Sequence, residues 1–346
     1  MQEPISIAHN IHSFRRATID LQADNHRVSV ILLTKNSAST VRNSIESVFQ
    51  QTRQPDEVVV IDGSSRDGTL EIVKKYSVKL TSELGLGFGY ARNLGVKNAS
   101  GDVVFFLDSD CYAELDWIAN ALPHFDGNPE IVGVTGQTHL WNTDSPVARF
   151  LAYVGGRVNM PSDKRFVKIA PTMNLALRRE VIDKVGGFDE TLIRCEDTDL
   201  TYKISQSHKI LYDPNVNIWF KGSPNLRVAS RKCIRHFVGV GQLFAKHGFK
   251  SSFVRFSLPI RGFLLIAALL SLFLLPWYVP TILFAVLLAE FLYKSAKLYR
   301  RYRDSCVVYY VVFFTFWSLA SLAMFYGMFL GLKNRRKTLR SISPEL

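Results

Sequence analysis

The chain has 346 residues, 42 of them Lys or Arg and 30 Asp or Glu, enough for one sizeable α/β domain and an appendage. Residues 221–346 hold 19 of the basic residues against 3 acidic ones, and the basic clusters bracket long apolar runs, which excludes nucleic acid as the partner and favours an anionic membrane surface. Four separated cysteines, Cys111, Cys195, Cys233 and Cys306, exclude a disulfide framework and a zinc site and fit a reducing compartment.

Residues 1–26 read as a polar N-terminal extension without the apolar core of a leader, so the following domain is expected to face the cytoplasm. The β-branched run 28–34 predicts a buried strand. Ser39 or Thr40 is placed to cap a helix in which Val41, Ile45, Val48 and Phe49 recur at helical spacing. Residues 58–61 predict a second buried strand ending in Asp62-Gly63-Ser64-Ser65, after which Asp67 caps a helix carrying Leu70, Ile72, Val73 and Tyr76. A third strand over 78–81, a third helix over 90–98 and a fourth strand over 103–107 continue the alternation, which implies a parallel, doubly wound sheet. Ligands of such sheets bind beyond the carboxyl ends of the strands. Thr34-Lys35-Asn36, Asp62-Gly63-Ser64 and Asp108-Ser109-Asp110 all fall there. From 123 the pattern loosens, with a weaker strand near 131–136, a glycine-rich basic stretch to 168, a strand over 172–177 and a short helix over 179–185.

Residues 229–257 interleave Arg231, Lys232, Arg235, Lys246 and Lys250 with Ile234, Phe237, Val240, Leu243, Phe244 and Phe249. That composition suits a helix lying in the membrane interface, the alternative being a helix packed on the domain with a solvated basic face. Residues 262–289 and 306–332 carry no charge, and each run exceeds the roughly 30 Å of a bilayer core. Region 258–332 is therefore expected to cross the membrane, two or three times depending on whether Pro276 and Pro280 kink the first run or split it into a hairpin. Three crossings are favoured, followed by a basic tail over 333–346.

Transfer of a sugar from a nucleoside diphosphate needs a divalent cation, held by one or two carboxylates, against the departing phosphates. Asp108 and Asp110 suit that task, because alternate residues of an extended chain point the same way, although a solvated acidic turn has the same pattern. Glu196-Asp197-Thr198-Asp199 stands near a helix start, where acids are favoured by the helix dipole and where one of them can also act as a base toward a hydroxyl. Gly85-x-Gly87-x-Gly89 lacks the frame of a dinucleotide fingerprint and reads as a loop over the site.

Taken in order, 30–35, Asp62-Gly63-Ser64-Ser65-Arg66-Asp67-Gly68-Thr69, Ala91-Arg92-Asn93-Leu94-Gly95, Asp108-Ser109-Asp110, Gly186-Gly187-Phe188-Asp189-Glu190 and Glu196-Asp197-Thr198-Asp199-Leu200 resemble the family 2 glycosyltransferases. The resemblance covers about 27–220 and implies a catalytic domain over 27–228. It also implies the GT-A fold, a Rossmann-like mixed sheet, and inversion at the anomeric carbon. It implies Asp197 as the base with Glu196 beside it, and Asp110 with Asp108 as ligands of Mg2+ or Mn2+. Thr34, Asn36, Asp62, Ser64, Arg92, Asn93, Asp108 and Asn174 are the expected nucleotide-sugar residues. Many relatives carry a His just after the strand that follows the Glu-Asp helix, where this chain has Phe220 and Lys221. Lys221, Arg231, Lys232 and Arg235 are the expected acceptor or phosphate contacts. The motif of processive synthases is degenerate here, as Lys232-Cys233-Ile234-Arg235-His236. A multi-pass membrane enzyme facing the cytoplasm, with a nucleotide sugar as donor and a lipid-linked acceptor, is the expected reading. A processive synthase and a non-catalytic nucleotide-sugar scaffold are the alternatives.

Overall fold

The β-branched run at 28–34 forms β1 (Val28–Thr34), and similar apolar runs form β2 (Glu57–Asp62) and β4 (Val103–Asp108), with the shorter β3 (Lys79–Ser82) beside β2. A computed structural model describes residues 26–126, 128–154, 163–248, 257–304, 316 and 319–342. The remaining strands are β5 (Cys111–Ala113), β6 (Ile131–Leu140), β7 (Arg165–Val167), β8 (Leu175–Arg178) and β9 (Lys209–Phe220). They join one sheet in the order β3-β2-β1-β4-β8-β6-β9-β5, with β7 on β9. The first four strands are parallel. β8 then runs antiparallel to both β4 and β6, β9 is parallel to β6, and β5 is antiparallel to β9. This is the mixed, doubly wound sheet expected of a GT-A fold.

Helices cover both faces, which is why β1 is apolar on alternate and intervening residues alike. On one face α1 (Val41–Phe49) and α4 (Trp117–Ala121) pack Ile45, Val48 and Trp117 against Val30, Leu32 and Phe105. On the other, α3 (Phe88–Asn98), α7 (Arg179–Lys184) and α8 (Glu196–Ile204) pack Ala91, Ile182 and Leu200 against Ile31, Ile61 and Phe106. Several local expectations shift. Thr40 precedes α1, but its hydroxyl donates to the Ser37 carbonyl instead of capping. Asp67 accepts from the Thr69 and Ala38 amides, and so ties α2 (Thr69–Val73) to the β1–α1 loop. The strand expected over 172–177 begins only at Leu175, because Thr172–Asn174 is a 3-10 turn. The weak strand at 131–136 runs on to Leu140 along β9, past a register shift.

The basic segment forms α9 (Leu226–His247), capped by Asn225, whose Oδ1 accepts from the Val228 amide at 3.0 Å. Phe237, Val240, Leu243 and Phe244, assigned above to lipid, are buried against protein. Val240, Leu243 and Phe244 pack with Leu192, Cys195 and Met324. Gly241 and Gly327 allow this contact: a Cβ on Gly241 would lie 1.9 Å from the Met324 carbonyl oxygen, and one on Gly327 would lie 2.0 Å from that of Val238. Gly327 belongs to α12 (Ala323–Ile342), which also absorbs most of the tail expected as a separate unit over 333–346. Between them lie α10 (Ser257–Leu274) and α11 (Tyr278–Tyr302), broken at Pro276 and packed on each other, with Ala268, Ser271 and Leu287 buried.

Phe273, Leu274, Trp277, Ile282, Val286 and Leu288 on these two helices are exposed. Among the described residues one helix, Tyr278–Arg301, is long and apolar enough to cross a membrane, and the Gly262–Leu274 stretch of α10 is shorter than a span. The third expected crossing falls partly on residues outside those described, and the described part of α12 lies along α9. α11 is fastened to the catalytic domain by α6 (Pro146–Val154). Arg149 Nε donates to Asp304 Oδ2 at 2.6 Å, and the Tyr153 hydroxyl donates to the same oxygen at 3.1 Å.

Candidate active site

The carboxyl ends of the parallel strands gather the expected residues. At the end of β2, Asp62 is fully buried and accepts from the Ser65 amide at 2.9 Å and its hydroxyl at 2.6 Å. That turn places Ser64 at a positive φ of 62°, with its hydroxyl donating to the Glu83 carbonyl at 2.9 Å. Asn36, at φ 49°, accepts from the Arg66 amide at 2.9 Å and so joins the first two strand ends. The Thr34 hydroxyl at the end of β1 is buried and has no hydrogen-bond partner among the described residues.

β4 delivers Asp108. Its side chain is 38% exposed, and one oxygen lies 3.5 Å from Arg92 Nη2. Ser109 turns the other way, to Ser37 Oγ at 2.8 Å. The Asp110 carbonyl accepts from the Lys221 amide at 2.8 Å, extending the β5–β9 ladder by one rung. Lys221 thus stands beside Asp110 in the place of the absent His, with its ammonium 6.0 Å from the Trp141 ring centre.

Arg92 is buried, not an exposed helix residue. It forms an ion pair with Glu196 and reaches Asp108, so one guanidinium bridges the two acidic motifs. Burial opposes its charge, but Glu196, Asp108 and Asp197 outweigh that and hold it above the ordinary arginine range. Burial pushes the Glu196 carboxyl up, against the pull of Arg92, and its Oε2 is buried without a hydrogen-bond partner. Asp197 is half-buried, and its Oδ1 accepts from the Thr198 amide at 2.7 Å. Its Oδ2 makes no hydrogen bond among the described residues, whereas Glu196 is tied to Arg92.

Asp108 is likewise raised, chiefly by desolvation and further by Asp110 and Asp197, with Arg92 opposing. Four carboxylates, at 108, 110, 196 and 197, share this end of the sheet with two guanidinium groups, Arg92 and Arg194. The surplus of negative charge fits a divalent cation. Among the described residues no three His, Cys, Asp or Glu side chains form a self-sufficient metal cage. Asp108 and Asp110 therefore suit a hard cation whose other ligands come from phosphate and water, as Mg2+ prefers.

Two expected donor residues point elsewhere. Asn174 is fully buried: it accepts from Trp117 Nε1 at 2.8 Å and donates to the Gln137 and Val216 carbonyls, both at 3.0 Å. It ties β6 and β9 together and does not line the crevice. Asn93 clamps Phe188, donating to its carbonyl at 2.9 Å and accepting from its amide at 2.8 Å. The open cavity that Asn93 borders, with Lys97, Arg179 and Asp183, contains none of the carboxylates. Arg231, Lys232 and Arg235 are exposed on the first half of α9, and Arg235 is near enough to depress the Arg194 guanidinium, after burial and the opposing pull of Glu196.

Three residues escaped the sequence reading. Glu83, buried just past β3, accepts from the Leu86 amide at 2.6 Å. An acid after a third parallel strand was the available signal. Gln242 on α9 accepts from the Ile193 amide at 2.9 Å and donates to the Thr191 carbonyl at 2.9 Å, fixing the loop that leads to Glu196. Arg194 lies 4.2 Å over the Phe88 ring, a contact with no signature in the sequence.

Residues 29–186 match the profile of Glycosyl transferase family 2. Over 200 residues the chain is 28% identical to glycosyltransferase AglE of Haloferax volcanii, covering 53% of this chain and 65% of AglE. It is 36% identical over 196 residues to WfgD of Escherichia coli, a UDP-Glc:alpha-D-GlcNAc-diphosphoundecaprenol beta-1,3-glucosyltransferase, covering 54% of this chain and 73% of WfgD. The chain spans 49–65% of the length of the first three relatives it matches. Among solved structures, mannosyltransferase PcManGT of Pyrobaculum calidifontis, in complex with GDP-Man and Mn2+, has a TM-score of 0.57 at 20% identity, over 88% of this chain and 87% of that one. That likeness shows the fold. The profile and the WfgD alignment make this chain a member of glycosyl transferase family 2.

Proposed function

We propose that this chain is a membrane-associated, inverting glycosyltransferase that moves a sugar from a nucleotide-diphosphate sugar to a hydroxyl of a lipid-linked acceptor. The observation that carries the reading is the Arg92 bridge, which sets Asp108 and Glu196 on one guanidinium and so holds Asp197 across from the Asp108–Asp110 pair. Asp62, Ser64, Asn36 and Thr34 form the nucleoside end. Bound Mg2+ or Mn2+, held by Asp110 and Asp108, would neutralise the departing diphosphate. Asp197 Oδ2 takes the proton from the attacking hydroxyl.

A carboxylate base matters for a hydroxyl nucleophile, whereas a phosphate oxyanion needs none. The reading therefore favours a sugar hydroxyl on a lipid-linked glycan over a bare polyprenyl phosphate, in keeping with the acceptor in WfgD's name. The hairpin of α10 and α11 supplies the anchor, with the catalytic domain on the cytoplasmic side, where the basic residues of 294–303 meet anionic headgroups.

The test is to incubate membranes containing the protein with a panel of labelled nucleotide sugars and follow label into the lipid extract. Transfer is expected to stop with EDTA and return with Mn2+ or Mg2+. Label that enters no lipid fraction with any donor overturns the reading. Binding of a nucleotide sugar without turnover would instead favour the scaffold alternative.

A further inference from the structure

Arg194 is the second guanidinium of the site, and it is arranged unlike the first. Both lie near the Phe88 ring, Arg92 at 5.6 Å and Arg194 at 4.2 Å from its centre. Arg92 is neutralised by Glu196 and Asp108. Arg194 makes no ion pair or side-chain hydrogen bond among the described residues, and its Nε is buried without a partner. Its place is fixed from behind, since a Cβ on Gly239 of α9 would stand 2.4 Å from the Arg194 carbonyl oxygen. Arg235 approaches it as a like charge, and burial with that repulsion holds Arg194 below the ordinary arginine range. A guanidinium that is half-buried, with its Nε out of water and no acceptor on any of its donors among the described residues, is costly unless something anionic arrives.

We propose that Arg194 is a phosphate-binding residue of this site, its fork taking two oxygens of a phosphate group that enters between Phe88, Glu196 and Arg235. The phosphate comes either from the departing nucleoside diphosphate or from the diphosphate of a lipid-linked acceptor. This inference rests on the glycosyl-transfer reading for its ligand and deepens it. The chemistry selects Arg194 over its neighbours. Arg92 is already paired, and Arg231, Lys232 and Arg235 are exposed, where a single ion pair contributes little and is screened by salt. A planar guanidinium with free donors matches phosphate oxygens bidentately.

The experiment measures inorganic pyrophosphate, UDP and GDP binding to the full-length, detergent-solubilised protein by calorimetry. Wild type is compared with Arg194→Met and Arg194→Lys, alongside donor and acceptor KM. In the Met variant, pyrophosphate affinity is expected to fall roughly tenfold to a hundredfold, the effect of losing charge-assisted hydrogen bonds. Its melting temperature stays level or rises, because no partner loses a bond. Should the Met variant fail to fold, the Lys variant, which keeps the stem and charge but loses the fork, carries the same comparison. Loss of UDP or GDP binding assigns the phosphate to the donor. Unchanged nucleotide binding with a raised acceptor KM assigns it to the acceptor. Pyrophosphate and both substrates bound within twofold of wild type overturn the proposal, as does a wild type that binds no phosphate ligand. A wild type that binds pyrophosphate through Arg194 yet transfers no sugar overturns the function and leaves the site standing. Sugar transfer with Arg194→Met at full affinity does the reverse.

Discussion

The two ends of the parallel sheet are built from the same residue types and treated in opposite ways. At the amino ends, the carboxylates beside the first strands are matched, and even Glu57 Oε2, buried without a hydrogen bond, is held in an ion pair by Lys79. Glu57 accepts from Ser29 Oγ and from the Ser100 amide and hydroxyl and pairs with Lys79, Asp56 accepts from the Val28 amide, and Asp102 accepts from the Arg27 amide. At the carboxyl ends, acids outnumber cations, and Thr34 Oγ1, Glu196 Oε2 and Arg194 Nε are buried without hydrogen-bond partners. A satisfied end contributes stability, whereas an unsatisfied one is completed by what binds there. The same acid therefore has different consequences when removed from either end.

The largest effects belong to the unsatisfied end. Asp110→Ala and Asp197→Asn are each expected to lower sugar transfer by about a thousandfold, the scale of a lost base or charge stabiliser. Thermal unfolding should hardly move, since neither side chain carries a stabilising ion pair. Wild-type turnover in both variants would break the comparison. Arg92→Met tests the bridge between the two acidic motifs of that end. It leaves Glu196 buried without its cation, at a cost of about 3 kcal/mol of stability, and it also lowers turnover. A variant with unchanged melting temperature would show that the bridge is not formed.

A smaller effect is expected away from the sheet. Gln242→Ala removes two buried bonds to the 191–193 backbone and leaves those groups unpaired, which costs about 2 kcal/mol. Lys246 and His247 still tether α9 to Asp199, at 2.9 Å and 2.6 Å, so the helix stays docked while the loop before Glu196 loosens. The expected signature is a several-fold fall in kcat with donor KM unchanged. A fall in stability alone would reduce Gln242 to a packing role.

The contrast between the ends was only half visible in the sequence. The apolar runs of β1, β2 and β4 and the polar residues at their carboxyl ends were legible, because a buried parallel strand leaves few choices of residue and a tight turn leaves few more. Asp62, Asp108 and Asp110 stand at those ends for the same reason, whereas Asp197 opens a helix and only the family resemblance singled it out; the variants above test their roles. Asn174 was misplaced because its strand starts at Leu175, three residues later than the pattern suggests, and the 3-10 turn before it turns the amide into the core. Arg92 was expected to meet the nucleotide sugar, not to bridge two acidic motifs, since helix periodicity cannot say that an acid 104 residues away will bury its charge. α9 was assigned to lipid because its apolar spacing is the same whether the covering surface is a bilayer or α12. Only the close approach at Gly241 and Gly327 separates the two, and nothing near those glycines in sequence announces it.

Glu57 is the counterpart test at the satisfied end. Burial would raise its carboxyl, but Lys79, Ser29 and Ser100 outweigh burial and hold it down to about 2, from an ordinary value of 4.5. Its folded pKa is thus below its unfolded one, so the unfolded chain binds the proton first as pH falls. The stabilisation is fully present above about pH 5, shrinks as pH falls below 4.5, and is gone once pH passes below about 2. A shift of this size corresponds to about 3.4 kcal/mol before screening and to about 2 kcal/mol once screening by solvent is allowed for. Lys79 is itself half-exposed, so the lower figure is the better expectation. Glu57→Gln is therefore expected to unfold several degrees below wild type at pH 7, and the gap should close between pH 4.5 and pH 2. Turnover per folded molecule should be unchanged, because the site lies at the other end of the strands. A gap that persists undiminished at pH 2 would mean that Glu57 acts through packing instead of charge, and the amino end would lose its claim to be the electrostatically satisfied one.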